Sequence, residues 1–336
     1  MHIGHFTAFY PSRPFWAVEK IDFTDPKVLQ NFSSLMEEEV FGYSDDAFSI
    51  KICRDGMVKL RIEALENHGA QQQTVEYTVK RWGEYLDYLN AFYLFLDSAV
   101  ITTMRLAYFN LHEITVRDAI RIRYENGKEA GYNVPTESVA ATFQMARHQR
   151  TYGSIPIEHD PRISLRQVIS LEAISRAVAS FKAVVSKPGV EKVFASFTKS
   201  IAEYKVGNYE TSIILAWFIS ERIMANLWGR HIDSLNKDQG DGQQRINRKR
   251  KDTLTGRDFP ISVVSNLLEL WDILPFSLFK DLDTVRGFRN DIVHGETNYE
   301  PSAKDAQLAI NTARELSIRS NQIDFTPSLS FGVMGL

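Results

Sequence analysis

The sequence predicts an α+β N-terminal domain over residues 1–155, an all-α helical bundle over 163–320, and an irregular tail over 321–336. Three observations lead there. Two runs of alternating apolar and polar residues flank Asp55-Gly56, the pattern of a hairpin with one buried face. Gly153, Pro156 and Pro161 punctuate a linker over about 152–160. Beyond it, the apolar residues recur at helical spacing and no run alternates as a strand does. A length of 336 residues fits about two domains at ~100–200 residues each.

Each element follows in order. Asp25-Pro26 reads as an N-cap and first-turn proline, opening a helix to about residue 39. Phe48, Ile50 and Ile52 form one hairpin arm, and Val58, Leu60 and Ile62 the other. Val75, Val79, Trp82, Leu86, Leu89, Phe92 and Leu96 mark a long helix over about 72–100, whose aromatic residues keep core spacing. A strand over 115–124 is closed by Glu125-Asn126-Gly127, and a helix is expected over 137–150. The second half begins with a helix over 164–186, stopped by Pro188-Gly189. Val190, Phe194, Phe197, Ile201 and Tyr204 mark the next, ended by Gly207-Asn208. Residues 209–228 are apolar nearly all round, as a helix in a bundle's centre is. A polar insert over 231–259 follows, then helices over about 261–273, 276–294 and 302–320.

Composition excludes several classes. With 44% hydrophobic and 24% charged residues, the chain is neither disordered nor collagen-like. Its one cysteine, Cys53, cannot make an intrachain disulfide, which points to a reducing, cytoplasmic location. Apolar runs such as 213–219 fall far short of the roughly 18 residues of a membrane span. The first residues lack the basic and apolar blocks of a secretion signal. Lys plus Arg is 39 and Asp plus Glu is 42, a net charge of −3, so any binding of nucleic acid must rest on a local patch.

The most informative stretch is 283–295, DTVRGFRNDIVHG, with Arg289, Asn290 and His294. Other Arg–His pairs of comparable spacing, Arg61 with His68 and Arg105 with His112, fall in the mixed domain, the first starting in a strand. The third lies near the end of an amphipathic helix, is followed by Gly295, and is preceded by an apolar helix carrying an internal acid and by a polar insert. This constellation resembles the R-x(4–6)-H motif of the HEPN superfamily, in its R-N-x-x-x-H form, over roughly residues 190–320. The N-terminal half resembles no family.

The resemblance implies a HEPN-like helical bundle. It further implies a metal-independent endoribonuclease, without cofactor, acting as the toxic effector of an abortive-infection or toxin–antitoxin system. Its dimer would bring two motifs face to face, and its products would be a 2′,3′-cyclic phosphate and a 5′-OH. The N-terminal domain would then be a sensor, a partner-binding or a restraining module, with an antitoxin as one possible partner. The alternative is a non-catalytic HEPN module for interaction or RNA binding.

The residue types suit phosphodiester chemistry. RNA supplies its own 2′-OH nucleophile. A histidine near its ordinary value of about 6.5 exchanges protons near neutral pH. Arginine offers a planar donor fork to phosphate oxygens and to the charge that develops there. Asn290 could orient the histidine or bind the phosphate. Positions i and i+5 lie about 140° apart on a helix, so Arg289 and His294 meet only if the last turn unwinds at the histidine or if two chains share the site. Asn290 and His294 share a face. Glu221 is expected to face this helix and pair with Arg289, Arg286 or Asn290, or else to lie exposed at the bundle's edge. Arg245, Arg248, Lys249, Arg250 and Lys251 concentrate positive charge in the polar insert, either as an RNA grip or as a solvated flexible loop. The histidines show no metal-ligand spacing, so no metal site is expected.

Overall fold

The computed structural model describes residues 3–66, 74–133, 165–237, 244–295 and 299–329, with residues 143, 147, 151–152, 155–156 and 163. These residues form two units, one running through Thr198 and taking in the tail from Phe325, the other Lys199–Asp324. The helix expected over 137–150 and the linker at 152–160 lie largely outside the described residues.

The first unit is built on a six-stranded antiparallel sheet, ordered β3-β4-β5-β1-β6-β7. Its strands are β1 (Ile3–Phe9), β3 (Glu39–Ser44), β4 (Phe48–Cys53), β5 (Val58–Ile62), β6 (Ile120–Glu125) and β7 (Lys128–Asn133). The hairpin is β4–β5, and its turn requires glycine. Gly56 has φ +90°, and a Cβ there would meet the Phe15 carbonyl oxygen at 2.8 Å. Both hairpin strands are buried on nearly every residue, so this is a central part of the sheet rather than a half-exposed arm. Asp25 caps α1 (Pro26–Gln30) by accepting from the Lys27 N–H, and the chain breaks at Asn31 before α2 (Phe32–Glu37). The single helix expected to residue 39 is therefore two, and Glu39 already belongs to β3.

A short α3 (Glu63–Glu66) precedes α4 (Val75–Met104), which Thr74 caps and Arg105 ends in the left-handed conformation at φ 56°. The middle of α4 is buried from Leu89 to Val100. Val168–Ile169, as β10, pair in parallel with Trp16–Ala17, as β2, so the helix expected from residue 164 starts only at Leu171, capped by Ser170. Between β7 and β10 lies a two-stranded ribbon, β8 (Thr151–Tyr152) with β9 (Ile155–Pro156). The next helix, α5 (Leu171–Val185), belongs to this unit: Phe181 meets Phe48 of the sheet and Tyr88 and Phe92 of α4, all T-shaped at 5.3–6.3 Å. The division into units falls later than the expected linker, inside α6 (Val190–Lys205), because Phe194 packs on Phe95 of α4 and Thr198 donates to the Asn90 carbonyl.

The second unit is all-helical: the end of α6, then α7 (Tyr209–Ser234), α8 (Arg248–Leu254), α9 (Ile261–Leu270), α10 (Phe276–His294) and α11 (Ala303–Asn321). Ser200 and Ser212 exchange hydroxyl-to-carbonyl bonds of 2.9 and 2.8 Å, drawing α6 against α7. Ala306, Ala309 and Ala313 of α11 are fully buried, and such small residues let helices approach closely. Helix α7 is not apolar-buried all round, since Phe218, Arg222 and Ala225 form an exposed strip. Among the described residues, no helix is long and apolar enough to cross a membrane.

A charge cluster centred on buried Lys59 ties the sheet together. Lys59, 1% exposed, donates to Glu39, Glu129 and the Tyr124 hydroxyl at 2.9–3.0 Å. Against the cost of its own burial, hydrogen bonds from Lys51 and Tyr124 and the charge of Lys59 hold Glu39 down at about 2, from an ordinary 4.5. A depressed carboxylate stabilises the fold above its unfolded value and loses that contribution as pH falls through its folded one. Denaturant midpoints of wild type and Glu39→Gln should therefore differ at neutral pH and converge between about pH 4.5 and pH 2. A gap that stays constant or widens on acidification contradicts this assignment.

Candidate functional site: the end of helix α10

The sequence of α10 fixes where its side chains go. Leu278, Leu282 and Val285 are buried, at spacings of four and three. Arg289, four residues on, continues that inward stripe, whereas Asp283, Gly287, Asn290 and His294 run along the exposed one. The helix stays regular through His294. Gly295 then ends it at φ 61°, its N–H donating to the Asp291 carbonyl at 3.1 Å.

The unwinding that would bring Arg289 to His294 within one chain does not occur. The two lie about 140° apart around the axis, Arg289 half-buried and His294 exposed. Arg289 Nη1 donates to Asn290 Oδ1 at 3.1 Å. Its Nε is buried and has no hydrogen-bond partner among the described residues. No ion pair involving Arg289 occurs among them either, whereas Arg286, Arg314 and Arg319 pair with Asp283, Asp324 and Glu315. The Phe288 and Tyr299 rings stack at 5.5 Å beside the motif. Burial and the Asp305 carboxylate push the Tyr299 phenol well up, so it stays protonated. The carboxylate is in turn fixed by the capping box of Ser302.

Glu221 is half-buried on α7, which packs against α10, but it makes no hydrogen bond or ion pair to Arg289, Arg286 or Asn290. The pairing expected from sequence is thus not made. Arg286 is satisfied within its own helix by Asp283, three residues earlier, a nearer partner than any on α7.

The described residues of the basic insert are not a solvated loop. Asn247 caps α8 by accepting from the Arg250 N–H. Trp228 Nε1 donates to the Leu254 carbonyl at 2.7 Å, and Lys251 pairs with Asp233, so α8 is fastened to α7. Arg245, Arg248, Lys249 and Arg250 remain exposed. No hydrogen bond or ion pair joins this helix to Arg289, Asn290 or His294, so the structure does not draw the two sets together directly.

An aromatic stack went unread in the sequence. Trp271 lies parallel to Trp228 at 5.4 Å, His231 sits 4.5 Å from Trp271, and Phe259 lies 5.9 Å from Trp228. Trp271 is 44% exposed. Four planar groups from three separated segments carry no common spacing, so only the fold reveals them. Beside a basic helix, such a surface can stack bases.

Comparison with known proteins adds no identity: no family model, curated protein or solved structure matches this chain.

An arginine on a bundle's buried stripe, with its Nε unsatisfied, is a poor stabiliser. Arg289→Met should therefore leave thermal stability within about 0.5 kcal/mol of wild type or raise it, as calorimetry would measure. A loss of about 2 kcal/mol or more would mark the guanidinium as structural.

Proposed function

We propose that the protein is a HEPN-type, metal-independent endoribonuclease, with Arg289 and His294 brought to one phosphodiester by two copies of the chain. The observation that carries this reading is the state of Arg289: half-buried, its Nε without a partner and no carboxylate paired to it among the described residues, and its outer Nη1 bonded to Asn290 at the surface. Residues that break the local rules of a stable helix are expected where function requires them.

The division of labour follows from the chemistry. His294, exposed at the helix end, removes or returns the proton of the 2′-OH or the leaving 5′-oxygen. Arg289 of the facing copy, whose Nη1 bond to Asn290 lies at the surface, presents its outer nitrogens to the non-bridging oxygens. Asn290 steadies the guanidinium it already touches. Val293, 51% exposed beside His294, supplies apolar surface for the pairing. The exposed cations of α8 hold the RNA backbone, and Trp271 stacks a base. Arg286 stays tied to Asp283 within α10, and neither it nor Glu221 touches substrate. In the cytoplasm such an activity suits a toxic effector of phage defence or of a toxin–antitoxin pair, with the sheet-containing unit as the site of restraint or of an antitoxin. The non-catalytic reading is favoured only by the separation of Arg289 from His294 within one chain.

Incubation of wild type and His294→Ala with total RNA in EDTA, followed by analysis of product termini, tests the proposal. Wild type should leave 2′,3′-cyclic phosphate and 5′-OH ends, and the variant should be slower by about 10²–10⁴-fold. Equal inertness favours the non-catalytic module. Equal activity, or a requirement for a divalent ion, contradicts the mechanism.

A further inference from the structure

The N-terminal unit holds a cavity that the nuclease reading does not use. Thr7 of β1 stands opposite Arg121 of β6, and Arg121 opposite Asn133 of β7. Residues directly opposed across antiparallel strands project to one face, so these three form a row across the sheet. On α4, Arg81, Trp82 and Tyr85 share a helical face with Thr78. The row and the helix face enclose about 230 Å³.

Behind the cavity lies one carboxylate, Glu66, its side chain 6% exposed. Arg121 donates to it at 2.7 and 3.0 Å, the Tyr85 hydroxyl donates as well, and Arg81 forms an ion pair with it at 2.9 Å. Arg121 also donates to the Thr7 hydroxyl at 2.9 Å. Two guanidiniums thus face one carboxylate, leaving an excess positive charge. Against its own burial, the charge of Arg121 and the bond from Tyr85 hold Glu66 ionised. His5, 3.9 Å from Glu66, is held below its ordinary value by burial and by Arg121, so it does not offset the balance. Arg61 nearby is taken up bidentately by Glu63. The Lys59 cluster makes the contrast: there two carboxylates and a phenol meet two ammoniums, Lys59 and Lys51, and no cation is in excess.

Glu66 fixes both guanidiniums before any ligand arrives, which lowers the ordering cost of binding an anion. Their planar forks match the oxygens of a phosphate. Trp82 offers an aromatic face to a planar group, and the exposed Asn133 amide offers a donor and an acceptor at the mouth. We infer that this cavity binds one nucleotide unit, its phosphate on Arg81 and Arg121 and its base against Trp82. The unit comes either from a free mononucleotide or from the end of an RNA strand.

Isothermal titration calorimetry on the full-length protein tests this with inorganic phosphate, the four nucleoside 5′-monophosphates, and a 5′-phosphorylated tetraribonucleotide. At least one nucleotide probe should bind one per chain and at least about tenfold more tightly than phosphate. Arg81→Gln and Trp82→Ala should each weaken it by about tenfold or more with an unchanged circular dichroism spectrum. Asn133→Ala, an exposed edge-strand change that leaves the fold alone, should alter the ranking of the four bases. Tightest binding of the tetranucleotide assigns the ligand to an RNA end, and tightest binding of a monophosphate to a free nucleotide. Absence of binding by every probe, phosphate equal to the nucleotides, or affinity unchanged in folded Arg81→Gln and Trp82→Ala overturns the site. His294→Ala should bind these probes as wild type does, so this result stands or falls apart from the nuclease activity.

Discussion

The periodicity of α10 is the constraint on which the rest depends. The helix must bury Leu278, Leu282 and Val285 to join its bundle. Once that stripe is fixed, Arg289 is carried inward and Asn290 and His294 outward, because nothing bends the helix before Gly295. A guanidinium and an imidazole five positions apart then leave the helix about 140° from one another. The same constraint explains why Arg289 has its Nε buried without a partner, and it is why the proposed nuclease reading calls for a second copy.

The first unit solves a different problem. Its sheet carries charged residues where the order of strands buries them, and each charge is held by partners from distant segments: Lys59 by β3 and β7, Asp55 by Arg147 and Tyr10. Buried charges survive only with such compensation. The cavity beside Glu66 differs because two cations share one anion, which leaves donors facing open space.

Much of the fold is legible in the sequence where a single element carries its own pattern. The β4–β5 hairpin is set by Asp55-Gly56, α4 by its apolar spacing, and α10 by its stripe and Gly295. Other elements are defined only by their partners. β7 is a polar edge strand (KEAGYN) with no alternation to read, and it exists because β6 offers it a ladder. β1 is buried almost throughout and shows no polar face. The apolar face of α5 is plain in sequence, but nothing in it tells that Phe181 packs on α4 and the sheet. At the site, the separation of Arg289 from His294 follows from counting residues around a helix. The missing partner of Glu221, the anchoring of α8 by Trp228 and the Trp228–Trp271 stack depend on tertiary packing, which no local pattern encodes.

Mixing two inactive variants tests the shared site most directly. Arg289→Ala and His294→Ala are unfolded together, refolded as a mixture and assayed on RNA in EDTA. If each site takes its arginine from one copy and its histidine from the other, half the dimers regain one intact site of two, and activity returns to about a quarter of wild type. Activity that stays at the level of the separate variants, in a mixture shown to contain heterodimers, would contradict the account.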